Sequence, residues 1–279
     1  MRLDSYLAEY WPEYSRSVWQ KYCDSGYVKV NGVVATGYKK QLGEDDEVTV
    51  DVPEIKIAPQ SLPVIYEDDN VVVINKPPGL LTHAKGQVNQ EFTVAEFMRE
   101  RTTFCSDTNR PGIIHRLDRD TSGVIICVKN PETAKYLQRQ FSERRVKKTY
   151  LALVAGSLKL SKGQVDVPLA RNPKKPSTFR ADPKGKSAVT NYEVIAKDAK
   201  ASLVKLQPVT GRTHQLRIHL AHLGHPVIGD RFYGAEAKRL FLHAYQLEIT
   251  LPGGKRSKFS TPPPPEFTEF FPKLAEVKL

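Results

Sequence analysis

The chain of 279 residues is 40% hydrophobic and 26% charged, with a net charge of +11 at pH 7 and three cysteines. This is the composition of an ordinary globular protein long enough for about two domains, and it lacks the apolar run of ~18 residues that a membrane helix requires. Cys23, Cys105 and Cys127 are too few and too far apart for a disulfide framework or a CxxC metal knuckle, and the N-terminus has no apolar signal core, so the expected protein is a cytoplasmic monomer with no membrane partner.

The charge is unevenly placed. Residues 1–60 hold 7 basic and 10 acidic side chains, a net of −3, which leaves a net of +14 for the remainder. A basic surface suits nucleic acid, because neutralising phosphates releases counterions.

In chain order, Leu3, Tyr6, Leu7 and Tyr10 follow helical spacing. Ser15 is placed to cap a second helix reaching about Asp24, ended by Gly26. "YVKVNG" alternates as a strand does, and Asn31-Gly32 is a hairpin signal. "LGEDDEVTV" adds a turn and another short strand. The segments "RLD..LA", "SRS", "G.V.VNG" and the acidic turn before "VTV" resemble the alpha-L RNA-binding module of a small-subunit ribosomal protein. That resemblance implies an RNA-facing second helix carrying Arg16 and Lys21, with Lys29, Lys39 and Lys40 able to extend the face. The net negative charge of this stretch departs from that expectation.

Residues 53–63 are Pro-rich without a clear period and read as a linker. "VIYEDDNVVVINKPPGLLTH" predicts a strand, a turn at Glu67–Asn70 and a second strand. "GIIHRLDRDTSGVIICVKN", Gly112 to Asn130, predicts two buried strands around a charged centre. Asn130-Pro131 opens a helix to about Arg144, with Ala134, Leu137 and Phe141 on one face. "KKTYLALVAG" is a strand, Ala170 to Ala188 a basic mobile hairpin, and "STPPPPEFTEFFPKL" a polyproline stretch before a short amphipathic helix. Many strands with few intervening helices argue for an α+β fold built on a largely antiparallel mixed sheet.

"HRLDRD" admits three readings. An Asp-x-Asp metal site has the spacing of Asp118 and Asp120, but Arg116 and Arg119 would repel a hard dication. A structural salt-bridge turn is the commonest fate of such clusters. A single catalytic carboxylate, kept anionic by nearby arginines, is the third. Taken alone, the stretch leaves all three open.

Three further segments, "NKPPGLLTH", "KKTYLALVAG" and "TGRTHQLRIHLAHLGHPVIGDRFYG", together with "HRLDRDTSG" and in this order, resemble the RluA-type family of RNA pseudouridine synthases from about Leu62 to the C-terminus. With the N-terminal module added, the whole chain resembles the members that act on large-subunit ribosomal RNA. The resemblance implies Asp118 as the catalytic aspartate, Tyr150 as the ring lying against the uracil, and Arg217, expected on a strand, as the basic partner of Asp118. It implies Arg116 as the side chain that fills the gap left by a flipped base, and Leu216 as an apolar neighbour of the site.

The chemistry agrees with that set. Joining ribose to a ring carbon instead of a ring nitrogen is redox-neutral and loses no atoms, so no cofactor and no metal is expected, and no Rossmann or phosphate-loop pattern is present. One carboxylate is needed as nucleophile or base, with a pocket for the flipped base. Lys76, His115, Arg212, Lys174 and Lys175 join Arg116, Arg16 and Lys21 as candidate RNA contacts, although Lys174, Lys175, Arg180, Lys184 and Lys186 equally suit a solvated face. His214, His219, His222 and His225 lack a zinc-ligand spacing and read as structural. Asp120 reads as a loop-capping acid. The resulting expectation is an RNA-binding module over 1–52, a linker over 53–63 and a catalytic domain over 64–279, converting uridine to pseudouridine in large-subunit ribosomal RNA. The alternatives are transfer RNA as substrate, a non-catalytic ribosome-assembly factor, and a metal-dependent transferase.

Overall fold

The computed structural model describes residues 1–52, 57–58, 60–84, 91–272 and 274. The N-terminal stretch forms helices α1 (Leu3–Tyr10) and α2 (Arg16–Asp24) over strands β1 (Val28–Val30), β2 (Val33–Val34) and β3 (Val48–Val50), ordered β2-β1-β3. Asn31 and Gly32 have φ of 53° and 75°, the two positive values that a two-residue hairpin of matching twist demands. Leu3, Leu7, Val18, Trp19, Val28 and Val30 close the core of this unit. The linker expected over 53–63 falls in part on residues 53–56 and 59, outside the described residues.

The larger part begins with β4 (Val64–Glu67) and β5 (Val71–Lys76). Between them Asp68 turns the chain, its Oδ1 accepting from the amides of Asn70 and Val71. Helix α3 (Val94–Met98), strand β6 (Ser122–Val128) and helix α4 (Pro131–Ser142) follow. Asn130 caps α4 through an acceptor bond from the Thr133 amide, as its sequence position predicts. Next come β7 (Lys147–Ala155), β8 (Lys162–Asp166), β9 (Leu169–Arg171), β10 (Phe179–Ala181), β11 (Val189–Lys197) and β12 (Ala201–Pro208). Helix α5 (Gln215–His222), β13 (Leu242–Thr250), β14 (Arg256–Ser260) and α6 (Pro265–Phe270) end the described chain.

Nine strands make one sheet in the order β4-β5-β6-β13-β7-β12-β11-β8, with β14 beside β13. Its pairings are antiparallel except β6 with β13. Period-2 alternation divides the central strands between two faces. Val72, Ile74, Ile125 and Cys127 pack with α3 on one face, and Val71, Val73, Val124, Ile126 and Val128 pack with α4 on the other. Gly123, at φ +114°, lets β6 come so close to β13 that a Cβ there would strike the Ala244 backbone.

Two expectations are corrected. The stretch before the charged centre is not a strand, since Ile113 makes only one bridge, to Cys127. Arg217 lies on α5, whose residues 215–220 are all buried, so no polar face marks it as helical. The basic excursion is the hairpin β9–β10, which packs on α5 through Leu169, Phe179 and Ile218.

Candidate active site

The loop carrying Asp118 is fixed at both neighbours. Thr82 Oγ1 donates to the Leu117 carbonyl at 2.8 Å and accepts from its amide at 3.2 Å. Lys76 Nζ donates to the carbonyls of Arg119 (2.9 Å), Pro77 (2.8 Å) and Leu80 (2.8 Å). The amide of Thr121 closes the turn onto the Asp118 carbonyl at 3.2 Å. A carboxylate held this way keeps its direction without a side-chain partner at hydrogen-bond distance.

Asp118 faces Arg217 Nη1 at 3.7 Å and His214 Nε2 at 3.8 Å. Arg217 is 3% exposed, and its fork is taken by Asp230, with Nε and Nη2 donating at 2.7 and 2.6 Å. Its nearest carboxylate is therefore Asp230, and Asp118 receives the remaining nitrogen. Asp230 is itself 0% exposed and accepts from the amides of Phe232 and Tyr233. It can approach because Gly229, at φ +81°, passes so near the Arg239 backbone that no Cβ fits.

His214 begins α5 in the left-handed region, at φ 55°. Its Nδ1 meets the Tyr233 hydroxyl at 2.8 Å, and that hydroxyl accepts from the Phe179 amide. Burial pushes its pKa down while Asp118 pulls it up. In the tautomer where Tyr233 donates to Nδ1, the neutral ring carries its hydrogen on Nε2, toward Asp118.

Asp118, His214 and Arg217 line a cleft of about 600 Å³. Tyr150 forms part of its wall, and burial followed by the charge of Asp118 pushes its phenol above the usual range, so the hydroxyl stays protonated. Arg116, Arg144, Lys148, Arg212 and Arg217 line the cleft against one acid, Asp118. Arg116 is exposed and has no hydrogen bond or ion pair among the described residues. Arg212 is exposed, donating from Nε to the Ser187 carbonyl. Lys174 and Lys175 are exposed in the turn of the β9–β10 hairpin.

One candidate RNA contact is corrected, and two more are found engaged within the protein. Lys76 is 0% exposed and tied to three carbonyls, out of reach of a phosphate. His115 accepts from the Ile126 amide and stacks on Phe141, while burial and then Lys148 hold its pKa at about 3. Its neutral ring lines the cleft and brings no charge there. Arg16 donates to buried Asp4 through Nε and Nη2, sharing that carboxylate with Arg2 and Gln20, and its side chain stays half exposed on α2. Lys21 stays exposed on α2. Sequence reasoning missed Thr82, Lys148 and Asp230 and passed over His214 as structural. The signals for Asp230 and Thr82 lay in "GDRFYG" and "LLTH". Among the described residues no group of three His, Cys, Asp or Glu side chains is placed to hold a metal, and no helix is long and apolar enough to cross a membrane.

The family model described as RNA pseudouridylate synthase matches residues 70–222. The chain belongs to the RNA pseudouridylate synthase family. It is therefore an enzyme that forms pseudouridine in RNA, and an S4 domain match over residues 1–48 places an RNA-binding module ahead of the catalytic region. It is 33% identical to the ribosomal large subunit pseudouridine synthase D of Haemophilus ducreyi, over 98% of this chain and 90% of that one. It is 35% identical to the protein of that name from Borreliella burgdorferi, over 100% and 92%. Among solved structures, human RNA pseudouridylate synthase domain containing 1 superposes with a TM-score of 0.62 at 31% identity, covering 79% of this chain and 91% of that one. The α+β architecture and the N-terminal module expected from the sequence are those of this family.

Proposed function

We propose that this pseudouridine synthase acts on uridines of large-subunit ribosomal RNA and that Asp118 is its acting carboxylate. The observation that carries the reading is that Asp118 is the one acid among the described residues lining a cleft with five cations. The relatives named for the large ribosomal subunit align over nearly the whole of both chains, which supports the substrate.

In this reading the target uridine leaves the RNA stack and enters the cleft, a step costing a few kcal/mol that stacking and phosphate contacts offset. Tyr150 lies against the uracil, and Arg116, free at the mouth, occupies the space the base vacates. The bond from the ribose carbon to the ring nitrogen breaks, the base turns within the pocket, and the same ribose carbon bonds to a ring carbon, which gives up its proton while the freed ring nitrogen takes one up. Attack at the sugar, attack at the ring and proton abstraction from the sugar each use one ionised carboxylate at this place. Arg217 and the Nε2 hydrogen of His214 keep Asp118 ionised and aimed. Residues 1–52 serve as the RNA-binding module, 53–63 as a linker and 64–279 as the catalytic domain, in the cytoplasm.

Mapping pseudouridines in ribosomal and transfer RNA from cells lacking the protein tests the substrate. Sites vanishing from large-subunit ribosomal RNA are expected. Losses confined to transfer RNA would overturn the assignment.

A further inference from the structure

Lys148 lies on β7 two residues before Tyr150, so both side chains leave the strand on one face, and both line the cleft. It is half-buried, yet among the described residues its ammonium has neither a hydrogen-bond acceptor nor an ion-pair partner. Other buried cations are answered from within: Lys76 by three carbonyls, Arg217 by Asp230, and Arg239 by Ser122 and Glu266. Lys148 is not, and burial pulls its pKa down with no opposing charge. The one acid lining the cleft among the described residues, Asp118, makes no ion pair with it, and Arg116, Arg144 and Arg212 line the same cleft. Partial burial of an unpaired charge costs free energy that only an anion from outside recovers.

The position says which part of the RNA that anion is. Lys148 sits about 7 Å along the strand from Tyr150, to one side of the pocket holding Asp118. A uridine lying against Tyr150 carries its backbone across that distance. The compact ammonium suits phosphate as a point charge, without the planar fork that bidentate base recognition uses. We propose that Lys148 binds a backbone phosphate adjoining the flipped uridine and so positions the nucleotide before chemistry. The proposal rests on reading the cleft as the uridine site.

The test uses the full chain and a short stem-loop of large-subunit ribosomal RNA with one modified uridine. Lys148→Met, Lys148→Gln and Lys148→Arg are compared with wild type across a salt series, in binding and in single-turnover rate at saturating RNA. The loss of one charge-assisted contact is expected to raise KM about tenfold in the Met and Gln variants. The slope of log affinity against log salt should flatten by about 0.7–0.9, one phosphate's worth. The single-turnover rate should stay within about twofold, since the contact is equal in ground and transition states. Lys148→Arg should restore the slope. An unchanged slope in both the Met and Gln variants overturns the proposal, and a fall in saturated rate with wild-type slope places Lys148 on the uracil instead. Asp118→Asn in the same assay separates the two readings, because retained turnover there retires the cleft itself, whereas a normal slope for Lys148→Met retires only the phosphate contact.

Discussion

Lys76 Nζ donates to the carbonyl of Arg119 across 2.9 Å, fastening the end of β5 to the peptide just beyond Asp118, 43 residues later. With Thr82 holding Leu117 from the other side, the segment "NKPPGLLTH" acts as the support of the loop carrying Asp118. Lys76→Met leaves three carbonyls without their donor, so unfolding free energy should fall by about 2 kcal/mol or more, and turnover should fall with it as Asp118 loses its fixed direction. Urea denaturation and single-turnover rates check both.

The same lysine has a pH signature. Burial pulls its pKa from 10.5 to about 7, against the charges of Asp120 and Asp118. Between those values the unfolded chain holds a proton that the native protein has released, giving up one of the three carbonyl bonds, so this group makes stability rise with pH from about 7 to about 10.5. Denaturation at both ends of that window should show a rise in wild type that Lys76→Met lacks. Equal pH dependence in the two proteins would contradict the burial of a titrating amine.

Arg217 and Arg116 should fail differently. Arg217→Met strands Asp230 as a buried carboxylate with only two amide donors, and Asp230→Asn removes the charge that answers Arg217. Each should cost about 3 kcal/mol or more, the usual consequence of breaking a buried pair from one side, together with most of the activity. Arg116→Met, at an exposed and unpaired position, should leave the denaturation midpoint within about 0.5 kcal/mol of wild type and still lose turnover. Matching stability profiles for the Arg217 and Arg116 variants would refute this division of roles.

In the N-terminal module, Asp4 is 0% exposed. Burial pushes its carboxyl up, but hydrogen bonds from Arg16, Arg2 and Gln20 hold it below the usual carboxylate range. Arg16→Ala should therefore lower the melting temperature of the module, with its stability lost further as pH falls into the acid range where Asp4 protonates. Lys21→Ala should leave melting unchanged and weaken RNA binding modestly. A thermal melt with a salt-series binding assay on the full chain distinguishes them.

Local signals were legible where short-range chemistry decides. Asn130-Pro131 announces α4, Asn31-Gly32 announces its hairpin, and the unbroken apolar runs Val71–Ile74 and Val124–Val128 announce strands buried on both faces. Depth was not legible. A lysine after an apolar strand reads as surface, and only the fold brings the Pro77, Leu80 and Arg119 carbonyls around Lys76. The helical state of Arg217 was hidden because α5 is buried throughout residues 215–220 and shows no amphipathic period. Its partner Asp230 lies 13 residues further on, beyond any helical or strand spacing. Asp118, Tyr150 and Arg217 do meet in one cleft. Lys76 was misplaced because charge was taken as a sign of availability.

The central claim is that Asp118 carries the chemistry. The most direct measurement is single-turnover conversion by Asp118→Asn of an RNA whose target uridine carries tritium on the ring carbon that loses its proton. The side chain keeps its shape and loses its charge. The account predicts RNA binding within about twofold of wild type and no tritium release or pseudouridine above background. Turnover within about a hundredfold of wild type, with the substitution confirmed in the purified protein, would contradict it.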